Sequence, residues 1–329
     1  MTAPASAAVS VRDLTVAFER SRTTVRAVNG ISFDLARGEV LTVIGESGSG
    51  KSVMLRTLLG LAPSHARLGG SVRINGVDMT RLDAAQRSDM RGRVVSMIFQ
   101  EPSTAFDPVY TVGEQIVETI LRHEDLTEAE AQQRAKEMLD LVAIPSAERR
   151  LRNFPHEMSG GMRQRAMIAL ALACRPSVLL ADEPTTALDA TVQIQILLLL
   201  RKLQRELDMA LIFVTHDMGV AAEISDRVAV MYAGRFVETG SAEDVLLNPR
   251  HPYTRAMLNS TVQGGMRGTA LKTIKGAPPD LRDLPAGCAF APRCPIADPL
   301  CNAAPPEPVD LGPGHAAACR RMEVLAEAS

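Results

Sequence analysis

The octapeptide Gly45-Glu-Ser-Gly-Ser-Gly-Lys51-Ser52 restricts what this chain can fold into more than any other stretch. An apolar run, Val40-Leu-Thr-Val-Ile44, precedes it, and a helix-compatible run, Val53-Met-Leu-Arg-Thr-Leu-Leu59, follows. Strand, glycine-rich loop and helix in that order are the setting of a phosphate-binding loop. Gly45, Gly48 and Gly50 let the backbone turn its N–H groups inward without Cβ clashes, and the helix start beneath adds its positive dipole end. Lys51 then reaches the β- and γ-phosphates as a point charge, and Ser52 is placed to ligate Mg²⁺. The expectation is a nucleoside-triphosphate site, with Ser47, Ser49 and Val53 of the same segment counted among its contacts.

Three further apolar runs end on polar residues. Pro176-Ser-Val-Leu-Leu-Ala-Asp182-Glu183-Pro184 sets two carboxylates at the end of a continuous apolar strand. Parallel sheets present ligands at the carboxyl ends of their strands, and adjacent acids there are costly to bury unless they serve a cation. Asp182 is therefore expected in the Mg²⁺ shell, and Glu183 as the group that polarises water for in-line attack. Leu211-Ile-Phe-Val-Thr215-His216-Asp217 repeats the design, placing His216 near developing phosphate charge. Arg93-Val-Val-Ser-Met-Ile-Phe99 leads to Gln100, an amide suited to Mg²⁺ or the attacking water, though equally a structural residue on its own evidence.

The remaining segments frame these ends. Val9 to Phe18 and Ala27 to Leu35 alternate as strands, and Phe18 offers a ring to an adenine or, alternatively, to the core. Gly69-Gly70 reads as a turn before a short strand, Ser71 to Gly76. Val112 to Pro155 is helical, with a capping box at Thr127 and Glu130. Met158-Ser-Gly-Gly-Met-Arg-Gln-Arg165 returns to loop then helix, where Ser159 is either part of a second anion site or simply a helix cap. A net charge of −2 gives no argument for nucleic acid as a partner. No apolar run approaches a membrane span and the first residues lack a basic signal segment, so a cytosolic chain is expected.

Together these motifs resemble the nucleotide-binding subunit of an ATP-binding cassette (ABC) transporter across residues 9–245. Gly45–Ser52 matches the Walker A loop, Gln100 the Q-loop, Ser159-Gly160-Gly161 the signature, and Val178–Asp182 the Walker B strand. Glu183 matches the catalytic glutamate, Ala187-Leu188-Asp189 the D-loop, and His216 the switch histidine; Phe18 falls where the family stacks an aromatic on adenine. Met162 departs from the family's usual glutamine. Gly45–Ser52, Gln100-Glu-Pro and Asn248-Pro-Arg-His-Pro-Tyr-Thr-Arg-Ala-Met257 are similar to the oligopeptide/dipeptide importer ATPases, although Ala105-Phe-Asp107-Pro carries aspartate where that family tends to have asparagine.

The resemblance implies an α/β P-loop cassette fold: a RecA-like core with antiparallel β and helical subdomains, then a small irregular Cys-rich C-terminal domain. Residues 1–245 would form the nucleotide-binding domain, about 105–160 its helical subdomain, and 246–329 the extension. It also implies ATP with Mg²⁺ as ligands, and catalysis by Glu183, His216, Lys51 and Gln100. Two permease subunits, a second ATPase closing head-to-tail, and an extracytoplasmic solute-binding protein acting indirectly would be the partners. The place implied is the cytoplasmic face of the cell (inner) membrane, as a peripheral subunit. Nickel or another small solute as cargo, and a cassette acting on ribosome or DNA, are the alternative readings.

Four of the five cysteines, Cys288, Cys294, Cys301 and Cys319, crowd a proline-rich tail that cannot build a core by itself. In a cytosolic chain such thiols argue for a metal rather than disulfides, and four thiolates suit Zn²⁺ or an iron–sulfur cluster; unligated thiols are the third reading. The importer resemblance points to a 4Fe–4S cluster. Cys174, on an apolar helix, reads as core.

Overall fold

The computed structural model describes residues 7–20, 23–186, 188–260 and 273–327. The first six residues and Ala187, on which expectations were placed, lie outside these. The described residues form strands β1 (Val9–Arg20), β2 (Thr23–Leu35), β3 (Val40–Ile44), β4 (Ala66–Ile74), β5 (Val77–Asp78), β6 (Val95–Ile98), β7 (Val178–Asp182), β8 (Ala210–Thr215), β9 (Arg227–Tyr232), β10 (Arg235–Ser241), β11 (Val309–Gly312) and β12 (His315–Ala317).

The larger sheet has the order β11-β12-β10-β9-β3-β8-β7-β6. Its β9-β3-β8-β7-β6 part is parallel, and the other three strands join antiparallel. Strands β3, β6, β7 and β8 are buried along their whole length. That follows from cover on both faces, and explains why their sequences are continuous apolar runs rather than alternating ones.

One face packs against the smaller antiparallel sheet, β2-β1-β4-β5, with Val11, Leu14 and Ile31 meeting Leu41, Val43 and Ile212 in one core. Here Gly69-Gly70, expected as a turn, lies inside β4 instead. Register jumps there from Arg12–Ser71 to Thr15–Gly69, with Asp13 bulged out at φ 46°. A Cβ on Gly70 would sit 2.3 Å from the Arg12 carbonyl oxygen, so the glycine admits a bulge rather than a reversal.

The opposite face is covered by helices. The expected helical insertion contains Val112–His123, Glu128–Leu141 and the short Ala147–Arg150. Both longer helices start in capping boxes, Thr111 with Glu114 and Thr127 with Glu130. Their apolar stripes close over the helix Gly160–Leu172 and over Leu179 and Phe213 of the sheet.

The C-terminal part is joined to the sheet. Its β11–β12 hairpin extends the sheet beside β10, and Phe290, Tyr253 and Met257 share a core with Ile44 and Tyr232. The helix Ala242–Leu247 runs across the expected 245/246 boundary. Among the described residues no helix is long and apolar enough to cross a membrane.

Candidate nucleotide site

Because β3, β6, β7 and β8 are parallel, the residues following them emerge at one edge. The loop after β3, Gln100 after β6, Glu183 after β7 and His216 after β8 line one cavity of about 810 Å³, together with Phe18 from β1. Ser47, Gly48, Ser49, Gly50, Lys51, Ser52 and Val53 all face this cavity. Gly45 lies beneath it: a Cβ there would be 2.3 Å from the Met231 carbonyl oxygen. Gly50, at φ 107°, starts the helix Lys51–Leu58 and passes so close to Ala27 that a Cβ would stand 2.2 Å from its carbonyl oxygen. Phe18 packs its ring 5.9 Å from that of His65, at the rim of the smaller sheet's core.

The charges at this edge are incompletely matched. The Lys51 ammonium is buried and donates to the carbonyl oxygens of Gly45 (2.7 Å) and Glu46 (3.0 Å). Burial draws its pKa down, while Glu183, Asp182 and Glu46 pull the other way. Asp182 is 3% exposed and accepts one hydrogen bond, from the Ser52 hydroxyl at 2.9 Å. Burial pushes its pKa up and neighbouring Glu183 adds to this, against the Ser52 bond and the charges of Arg56 and Lys51. A buried acid so placed is stabilised by a cation. Ser52, Asp182 and Gln100 therefore form a donor set of hard oxygens that fits Mg²⁺.

Glu183 sits at φ 47°, a left-handed conformation that costs a glutamate about 1–2 kcal/mol. Its N–H donates to the Val214 carbonyl at 3.0 Å, which pins the turn. The turn takes the side chain off the strand end into the cavity, where it accepts from the Thr186 hydroxyl (2.9 Å) and meets His216 Nδ1 at 3.0 Å.

Ser159, Gly160 and Gly161, expected among the ATP contacts, do not line this cavity. Ser159 caps the helix Gly160–Leu172, accepting from the Met162 N–H at 3.3 Å. Gly160 lines a separate, smaller cavity of about 330 Å³ with Gln100, Arg163 and Leu188. Gln100 lines both cavities. Asp189 caps the helix Ala190–Glu206 through the Val192 N–H at 3.0 Å. The Met162 side chain is half-buried against the helical core.

Sequence reasoning missed the C-terminal wall. Met257, Ser260, Ile274 and Leu281 line the nucleotide cavity, and Arg293 binds Glu46 inside the phosphate loop. The available signal was Glu46 itself, since an acid within an anion-binding loop calls for a cation nearby.

All four tail cysteines line one small cavity of about 20 Å³, with the Cys288 N–H donating to the Cys301 carbonyl at 2.8 Å. Burial raises the thiol pKa values of Cys288 and Cys294, and that of Cys319 to about 11. Among the described residues no group of three or more His, Cys, Asp or Glu side chains is arranged to hold a metal ion. The thiols share a cavity and have the right donor chemistry without standing in a coordination shell. Cys174, as expected, is buried in the helical core.

Comparison with known proteins agrees with this geometry. The model of the ABC transporter family matches residues 28–186, and that of the oligopeptide/dipeptide transporter C-terminal region matches residues 237–301. The oligopeptide transport ATP-binding protein OppD of Salmonella typhimurium is 48% identical over 316 residues, covering 96% of this chain and 94% of that protein. The dipeptide transport ATP-binding protein DppD of Bacillus subtilis is 44% identical over 321 residues, covering 97% and 96%. Among solved structures, the dimeric post-hydrolysis state of the ATP-binding cassette MJ0796 bound to ADP and Pi superposes with a TM-score of 0.64. It is 28% identical and covers 71% of this chain and 98% of that one.

Proposed function

The chain belongs to the ATP-binding proteins of ABC transporters for oligopeptides and dipeptides, and on that premise we propose that it hydrolyses ATP to energise the import of short peptides through a membrane permease. The observation that carries the reading is the convergence of the phosphate loop, Gln100, Glu183 and His216 on one cavity at the carboxyl edge of the sheet, with Asp182 tied to its Ser52 from behind. Peptide cargo rests on the named relatives and on the matched C-terminal region, which favour it over nickel, ribosome or DNA as the target.

In this mechanism the backbone of the cavity-lining segment Ser47 to Val53 holds the phosphates, Lys51 leaves its resting carbonyls for the γ-phosphate, and Phe18 covers the base. Ser52 and Gln100, with Asp182 behind Ser52, would hold Mg²⁺, which would supply neutralisation of the phosphate charge. Glu183 accepts a proton from water as its oxygen attacks phosphorus; the bond to the bridging oxygen breaks and ADP leaves. His216 holds the Glu183 carboxylate in line from 3.0 Å and faces the same charge. Ser159 to Gly161 lie off this cavity, so they serve the nucleotide of a second ATPase closed head-to-tail on this one. Two permease subunits complete the assembly at the inner face of the cell membrane, and a solute-binding protein acts from the other side.

The thiol cavity is read here as the ligand set of a 4Fe–4S cluster, with zinc as the alternative. Its support is that four cysteines of a loop-rich segment, Cys301 buried and Cys288, Cys294 and Cys319 partly so, share one cavity. Iron, sulfide and zinc content of the anaerobically purified chain decides between them, and absence of all three removes the reading.

The function is tested in the complex reconstituted with both permeases and the companion ATPase. Glu183→Gln is expected to lower phosphate release about 1,000-fold, the scale of a lost general base, with ATP binding intact. Wild-type turnover in that variant would overturn the assignment of the base. Failure of peptide and its binding protein to stimulate the wild-type complex would overturn the cargo.

A further inference from the structure

Glu46 is held at each of its polar ends. Its carbonyl accepts from Lys51 at 3.0 Å, and its N–H donates to the phenol oxygen of Tyr253 at 2.9 Å. Its carboxylate is gripped by both terminal nitrogens of Arg293, at 2.7 and 3.0 Å. Two of these anchors come from the C-terminal part, 207 and 247 positions away in sequence.

The grip is built. Arg293 is 5% exposed, against 26% for Glu46. Its Nε donates to the Lys275 carbonyl at 3.0 Å, and Nη1 also reaches the Tyr232 hydroxyl at 3.2 Å. The guanidinium lies 5.9 Å from the Tyr232 ring centre and 6.0 Å from that of Phe290. A planar fork so fixed aims the carboxylate as no lysine can. The same segment ties to the cassette independently, where the Arg26 N–H donates to the Leu281 carbonyl at 3.0 Å beside the cavity wall.

We infer that Arg293 is a positioning residue for the phosphate loop, through which the C-terminal part sets the affinity for ATP. This rests on the ATPase reading above. The fork does two things. It fixes the first turn of the loop, so that the Glu46 carbonyl, which accepts from the Lys51 ammonium and the Ser49 N–H, is set in place before nucleotide arrives, which lowers the ordering cost of binding. It also neutralises a carboxylate that would otherwise repel the phosphates from within their own site. Arg293 touches no reacting atom, so its effect falls on binding rather than on the chemical step.

The test is an MgATP titration of the full chain, with turnover measured in the assembled transporter. Arg293→Met keeps an apolar stem and is expected to weaken ATP binding about tenfold, the scale of one charge-assisted fork, with kcat at saturating ATP within about twofold. Glu46→Gln combined with Arg293→Met removes the stranded charge and recovers part of the affinity. Should Arg293→Met yield too little folded chain, Arg293→Lys, which keeps charge but not the fork, is titrated and loses about threefold. Unchanged affinity in the variant titrated overturns the inference. So does a double variant whose losses simply add, or a fall in kcat at unchanged KM. A wild-type chain that binds no ATP overturns the ATPase reading as well, whereas wild-type binding with an indifferent variant overturns this inference alone.

Discussion

Asp182, at the carboxyl edge of the parallel strands, and Glu238, at the seam between β10 and the C-terminal hairpin, are equally withdrawn from solvent, at 3% and 1% exposure. Their surroundings differ in kind. Glu238 accepts from the N–H groups of Arg250 (2.7 Å) and His251 (2.9 Å) and meets His315 Nε2 at 3.0 Å. Asp182 accepts from one serine hydroxyl and stands next to a second acid. Burial alone does not mark a working carboxylate. The Glu238 seam is closed by protein donors and so fastens the hairpin to the sheet. The Asp182 edge has one protein donor and an adjacent acid, an arrangement that a cation stabilises.

The comparison breaks if Asp182 behaves as a structural acid. Asp182→Asn is expected to cut ATP hydrolysis about 100-fold or more, as loss of a preorganised charge at a phosphoryl-transfer site does. It should also raise the melting temperature of the nucleotide-free chain, because the amide keeps the Ser52 bond without the buried charge. A lowered melting temperature would place Asp182 with Glu238. The converse variant, Glu238→Gln, is expected to cost about 2–4 kcal/mol in urea unfolding, since it strands donors and a histidine in a sealed seam. Phosphate release per folded chain should stay within about twofold of wild type, a bound set by the precision of the assay rather than by any contact to nucleotide.

The seam can be sharpened through pH. His251 is buried beside Glu238, its Nδ1 accepts from the Tyr253 N–H at 3.1 Å, and burial drives its pKa down to about 3. Between the unfolded value near 6.5 and that figure, the unfolded chain binds a proton the native chain refuses. Stability therefore falls as pH drops below about 6.5, by about 2 kcal/mol at pH 5. His251→Asn, which keeps an acceptor but does not titrate, should flatten that limb of a urea-unfolding pH series. An unaltered slope would mean the ring titrates freely in the native chain.

How much of this was legible in the sequence depended on how local its cause was. The loop from Gly45 to Ser52, the acids Asp182 and Glu183, and His216 could be placed because each directly follows an apolar run at a parallel strand's end. Ser159 was readable as a helix start, yet its distance from the cavity depends on where the helical layer docks, which no local pattern carries. Gly69-Gly70 looks like a turn in sequence because the same conformational freedom serves a bulge, and only the partner strand at Arg12 and Asp13 decides between them. Arg293 with Glu46, and His315 with Glu238, join residues far apart in the chain that share no periodicity. They become visible only when the last quarter of the chain folds back against the phosphate loop.

The displacement of Ser159 to Gly161 from their own chain's cavity has a kinetic consequence. On the proposed reading, in which a nucleotide is gripped by two cassettes, turnover by the dilute isolated chain should scale with the square of its concentration. Docking two cassettes on one pair of permeases replaces that encounter by an effective concentration on the order of millimolar, as for partners joined by short linkers. The membrane assembly then acts as the device that converts a rare collision between half-sites into a first-order stroke.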